Sequence, residues 1–212
     1  MIRKFYQTHR KTFERFNYLL LENPVLERGL TIAPVIVAAT TVKNGLALSI
    51  AFAIITVCTI TATYFIPKQV PYTLSVIANA LVASVFFIPA TMLVDRLFPG
   101  TVFQLGIYLP LLVTNSLIIQ KSFSRFHQAP FGQMLVQLLS AAGGFFLVTM
   151  AVSVLREVLG AGTLFDKPLD ITFTIPALTL PFGGFLVTGL LAAAVQALRL
   201  YLGSAERPRK KR

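Results

Sequence analysis

The chain has 212 residues, of which 55% are hydrophobic and 13% charged, with a formal net charge of +11. A water-soluble domain carries roughly 25% charged residues, so this composition excludes an ordinary water-facing surface. One cysteine, Cys58, excludes an internal disulfide and a CxxC or Cys/His metal framework within the chain.

Residues 1–22 carry five basic and two acidic side chains before any long apolar run. That order is unlike a secretory signal, which has an apolar core and a small-residue cleavage site within this length. Phe5, Phe13, Phe16 and Leu20 recur near helical spacing among the basic residues, and the segment is predicted to be an interfacial amphipathic helix. The expected organisation is this basic cytoplasmic segment, a membrane domain over residues 23–202, and a basic cytoplasmic tail over 203–212.

A bilayer span needs about 20 mostly apolar residues. Six segments are predicted, approximately 25–41, 45–66, 71–94, 103–119, 131–155 and 173–200. The connections between them hold most of the Gly, Pro and charged residues, as in DRLFPG and REVLGAGTLFDKPLD. Six spans place both termini on one side of the membrane. Fifteen of the 19 basic residues then fall on the terminal side and four on the other. Basic residues mark the cytoplasmic side, so both termini are expected in the cytoplasm, with the chain in the inner membrane. The charge fits contact with anionic lipid head groups, and nucleic acid is not an expected partner.

Segments one and four are short, and each carries a proline in its apolar part. The first is GLTIAPVIVAATT from Gly29 and the second LGIYLPLLVTNS from Leu105. With three spans per half, the halves insert in opposite orientations. The predicted fold is therefore an all-α polytopic membrane protein of two inverted three-helix repeats with half-helices, covering about 23–97 and 98–202. Proline removes a backbone donor, and freed backbone groups at membrane depth need buried partners or a cavity. Half-helix ends also carry partial charge. The candidate crossover residues are Thr31, Pro34, Thr40, Thr41, Pro110, Thr114, Asn115 and Ser116. Equally, these hydroxyls and the amide serve to cap kinked helices or join neighbours.

Other polar residues point to structure rather than chemistry. The threonines of 56–63 can bond their own helix, Asn79 suits a helix contact, and Cys58 is a small apolar residue. Arg156 and Glu157 end segment five, and by the span assignment all eight carboxylates lie in tails or loops. His9 and His127 are expected at the surface. There is no Gly-rich phosphate loop, no Ser/His/Asp set and no metal cluster motif, so no catalytic or metal-ligating residue is predicted.

Three runs carry a family resemblance: ENPVLERGLTIAPVIVAATTVKNGLALSIA, QLGIYLPLLVTNS and VLREVLGAGTLFD. Together they resemble the paired six-helix membrane subunits of the Rnf complex and of the sodium-translocating NADH:quinone reductase, Nqr. The Asn23–Pro24 element and the N-terminal side look most like the Rnf E subunit, the counterpart of the Nqr D subunit. The resemblance implies a non-catalytic subunit of a complex that couples electron transfer from NADH or ferredoxin to Na+ or H+ translocation, paired with a sister six-helix subunit. It also implies a [2Fe–2S] cluster shared by the pair, two cysteines from each. Here the matching positions are Ala33 and Ser116, which offer no thiolate. No cofactor is therefore expected in this chain, and [2Fe–2S] and flavin are expected in partner subunits. Two other roles share the scaffold: a diverged transporter or ion-pathway protein, and a structural subunit.

Overall fold

The computed structural model describes residues 31–65, 71–123, 131–169 and 174–203. The segment 1–22, His9, His127 and the C-terminal tail lie outside the described residues.

The first described helix, α1 (Ile32–Ala38), is short, and a break at residues 39–41 separates it from α2 (Val42–Thr63). Thr41 sits in extended backbone and its hydroxyl accepts from the Asn44 amide at 3.2 Å, which starts α2 cleanly. The next helix, α3 (Tyr72–Leu97), contains Pro89, and nearby the Thr91 hydroxyl lies within bonding distance of the Phe87 and Ile88 carbonyls. A broken stretch follows: α4 (Thr101–Leu105), two 3₁₀ turns (Gly106–Tyr108 and Pro110–Thr114), and α5 (Ser116–Phe123). Then come α6 (Phe131–Arg156), a π-helical turn (Glu157–Ala161), a small hairpin, a 3₁₀ turn (Pro176–Thr179) and α7 (Pro181–Gly203).

Among the described residues, four helices are long and apolar enough to cross a bilayer: Val42–Thr63, Thr73–Leu97, Phe131–Ala161 and Pro181–Leu198. The pair Thr101–Tyr108 and Pro110–Ile119, bent by 41°, makes a fifth if it is one broken span. Segment 103–119 is thus broken rather than continuous: Gly106 takes a positive φ of 50°, and Pro110 opens a new 3₁₀ turn. Of segment 25–41, the described part holds only the seven residues of α1. Segment six begins as helix at Pro181 rather than 173, after the 3₁₀ turn that Pro176 opens.

The core is built on α2, which packs against α3 and α6. α2 and α6 run antiparallel: Gly45 meets Ser153, the Phe52 and Phe145 rings stack at 3.9 Å, and Tyr64 meets Phe131 edge-on at 5.6 Å. A Cβ on Gly45 would lie 2.2 Å from the Ser153 Oγ, so glycine permits this approach. Around the seam, Leu48, Ile55, Leu105, Leu112, Met134 and Leu138 are buried. The apolar stripe Leu74, Ile77, Leu81, Val85, Ile88 and Met92 of α3 is exposed, as expected of a surface whose solvent is lipid.

One local feature departs from an all-α reading. Thr163–Leu164 pairs antiparallel with Lys167–Pro168, and the tip residues Phe165 and Asp166 have φ of 53° and 60°. Two consecutive positive φ values fit a type I′ turn, which favours Gly, Asn and Asp; Asp166 suits it and Phe165 does not, and with no Gly or Asn in LFDK the turn signal is weak.

Candidate functional site

The two short segments meet. α1 starts from Thr31, whose backbone is left-handed at φ 56°, and its amide donates to the Ser116 Oγ at 3.1 Å. Ser116 is the first residue of α5, so the N-terminal ends of two helices converge on one hydroxyl. Each end leaves amides without helical partners; the Ser116 oxygen satisfies one of them.

Asn115 organises the second half of the crossover. Its Oδ1 accepts from the Ile118 amide at 2.9 Å and so caps α5. Its Nδ2 donates to the Leu112 carbonyl at 2.8 Å and to the Thr56 hydroxyl at 3.1 Å, which anchors the cap to α2. The prolines act as starters rather than as kinks. Pro34 is buried in the first turn of α1, and Pro110 opens its 3₁₀ turn, where a missing N–H leaves no helical bond unmade. Pro110 and Thr114 are exposed, as is Ala33. Of the candidate residues, then, Thr31 and Ser116 touch and Asn115 ties them to α2. Pro110 and Thr114 contribute backbone only. Thr40 and Thr41 serve the start of α2, with the Asn44 Nδ2 donating to the Thr40 hydroxyl at 3.2 Å.

A second set of contacts controls where α1 ends. Arg156 and Glu157 are both fully buried. This corrects the expectation that every carboxylate lies in a tail or loop: the apolar helix continues through the π-helical turn and carries both charges inside. They are matched to backbone rather than to each other. The Arg156 Nη1 donates to the carbonyls of Ile36 at 2.7 Å and Ala39 at 3.1 Å. Its Nε donates to Leu178 at 2.9 Å, and its Nη2 to Thr179 at 2.8 Å and Leu180 at 3.1 Å. All the guanidinium donors are thereby used, on carbonyls at the C-terminal ends of α1 and of the 3₁₀ turn Pro176–Thr179, the negative ends of their dipoles. Glu157 does the converse. It accepts from the Val42 amide at 2.5 Å, at the start of α2, from the Asp166 amide at 3.1 Å and from the Thr163 hydroxyl at 3.3 Å. Outside it, Lys43 and Asp166 form an exposed ion pair.

The adjacent pair therefore straddles the α1–α2 break, with the cation on the carbonyl end of one helix and the anion on the amide start of the next. Packing enforces the arrangement. A Cβ at Gly184 would lie 2.1 Å from the Ile36 carbonyl oxygen and 3.1 Å from the Arg156 Nη1. The sequence places Arg156 and Glu157 at a span end, where they could pair locally or with a partner, and does not show their backbone partners. The available signal was Arg156 closing an otherwise uncharged 26-residue helix, with the opposite charge of Glu157 next in the chain.

A model of the Rnf-Nqr subunit family of membrane proteins matches residues 13–200. The chain belongs to this family. It is 28% identical over 188 residues to the E subunit of the ion-translocating oxidoreductase complex of Yersinia pestis strain Pestoides F, covering 81% of this chain and 80% of that protein. It is 29% identical over 191 residues to the protein of the same name from Pseudoalteromonas atlantica strain T6c, covering 83% and 82%.

The crossover does not fit the cluster that the family resemblance implies. Ala33 offers a methyl group, and the Ser116 oxygen already accepts a backbone hydrogen bond. Among the described residues, no group of three or more His, Cys, Asp and Glu side chains is placed to hold a metal. Cys58 is half-buried two residues beyond Thr56, which turns it to the other side of α2 from the Asn115 contact.

Proposed function

We propose that this chain is an integral membrane subunit of an Rnf- or Nqr-like complex that couples electron transfer to Na+ or H+ translocation, without an iron–sulfur cluster of its own. The observation that carries the reading is the family match across residues 13–200. The named relatives are subunits of ion-translocating oxidoreductase complexes, and the convergence of two short helices at Thr31 and Ser116 supports the same scaffold.

In this reading the membrane domain spans residues 23–202 as six crossings in two inverted repeats. α1–α3 form the first repeat, and α4 through α7 form the second, with its opening span broken. Both termini lie in the cytoplasm and the chain sits in the inner membrane, which the distribution of basic residues supports. A sister six-helix subunit is the expected neighbour, and flavin and [2Fe–2S] groups belong to partner subunits. The crossover of this chain then works as a scaffold: a hydroxyl holds two helix ends together where the resemblance implies thiolates. Among the described residues the crossover holds no carboxylate, so an ion passing there meets hydroxyls, amides and backbone carbonyls.

The test is recovery of a tagged copy from its native membrane in mild detergent, with identification of what accompanies it. Flavin- or iron-bearing membrane subunits are the expected companions. Recovery of the chain alone would refute the proposal.

A further inference from the structure

We infer that Arg156 is the positioning residue of the crossover: by collecting the carbonyl ends of α1 and of the Pro176–Thr179 turn, it sets the depth of α1 and so delivers the Thr31 amide to Ser116. The role assigned to the crossover rests on the proposed function; the positioning itself does not. α1 has seven residues, too few for a helix to hold itself. One end bonds Ser116 and the other bonds Arg156 through Ile36 and Ala39. α6 carries Arg156 and packs along α2, so the guanidinium transmits the placement of the long helices to the short one. Lysine cannot replace it. An ammonium has three donors at one point, whereas a planar guanidinium reaches several carbonyls on two sides at once. Gly184 completes the arrangement, because any side chain there would displace Ile36 from the guanidinium.

The test is a local cross-link read against a distant one in the full chain, in membranes, with Cys58→Ala as background. Thr31→Cys with Ser116→Cys reports the crossover, since the 3.1 Å contact between Thr31 N and Ser116 Oγ brings the two Cα atoms to within about 7 Å by bond lengths, near the disulfide range. Copper phenanthroline is the oxidant for this pair. Tyr64→Cys with Phe131→Cys, joined by a short bis-maleimide, reports the far end of the α2–α6 seam. With Arg156 in place both pairs should cross-link. In Arg156→Lys, and separately in Gly184→Ala, the crossover pair should fall at least several-fold while the reference pair is retained. An unchanged crossover pair would overturn the inference. Loss of both pairs in both variants would also overturn it, because the residue would then hold the whole bundle rather than α1. The readout needs no partner subunit, so a chain recovered without redox partners would refute the proposed function and leave this result standing.

Discussion

Two glycines of α7 should respond in opposite directions to one added methyl group. At Gly184 a Cβ would lie 2.1 Å from the Ile36 carbonyl oxygen and 3.0 Å from its carbon. These are backbone atoms, which cannot rotate away, so α1 must move by more than 1 Å to reach ordinary contact at about 3.4 Å. Overpacking of this kind costs about 1–3 kcal/mol. Moving Ile36 also weakens its hydrogen bond to the buried guanidinium, a charged bond worth about 1.5–3 kcal/mol. The gain in helix propensity from Gly to Ala offsets about 1 kcal/mol. The net expectation for Gly184→Ala is a loss of roughly 2–4 kcal/mol, combining these terms. At Gly189 nothing lies within 4 Å of the added atom, so Gly189→Ala keeps only the propensity gain, up to about 1 kcal/mol. Equilibrium unfolding in mixed detergent micelles, followed by far-ultraviolet circular dichroism, measures both. Equal stabilities for the two variants, or a more stable Gly184→Ala chain, would refute the packing of α7 on α1.

Three further outcomes follow from the site. Asn115→Ala removes the cap of α5 and the link to Thr56, and should destabilise by about 1–2 kcal/mol in the same assay. Glu157→Ala orphans the buried Val42 amide and should cost about 1–3 kcal/mol, whereas Lys43→Ala, which breaks only the exposed pair with Asp166, should cost less than about 1 kcal/mol; a reversed order would contradict the burial of Glu157. Ala33→Cys combined with Ser116→Cys should bind no iron in the isolated chain, as measured by metal analysis, because two thiolates fall short of the four that such a cluster needs.

The spans were legible because apolar length is a strong signal: α2, α3 and α6 begin or end within a few residues of the expected positions. The interruption of the two short segments was legible for a narrower reason. Proline beside hydroxyls in two short segments pointed to interrupted helices, and the structure brings Thr31 to Ser116. The action of the prolines was less so: position within a helix decides whether proline starts or kinks it, and the start of α1 at Ile32 carries no side-chain cap to announce it. Arg156 and Glu157 were the larger omission. Apart from the Thr163 hydroxyl, their partners are backbone groups, of Ile36, Ala39, Val42, Asp166 and Leu178 to Leu180, and every residue type offers the same carbonyl and amide. No side-chain pattern could identify such partners. The hairpin at Phe165 and Asp166 escaped because Phe165 is a poor turn residue beside Asp166, and the contacts of Glu157 to Thr163 and Asp166 help hold it.

The proposed function couples electron transfer to ion movement in a complex that contains this chain. The most direct measurement is Na+ and H+ uptake by inverted membrane vesicles driven by NADH or reduced ferredoxin, compared between cells with the chain deleted and cells with it restored. Driven uptake should be lost on deletion and return with the restored chain. Uptake that is unchanged by deletion would contradict the proposed function.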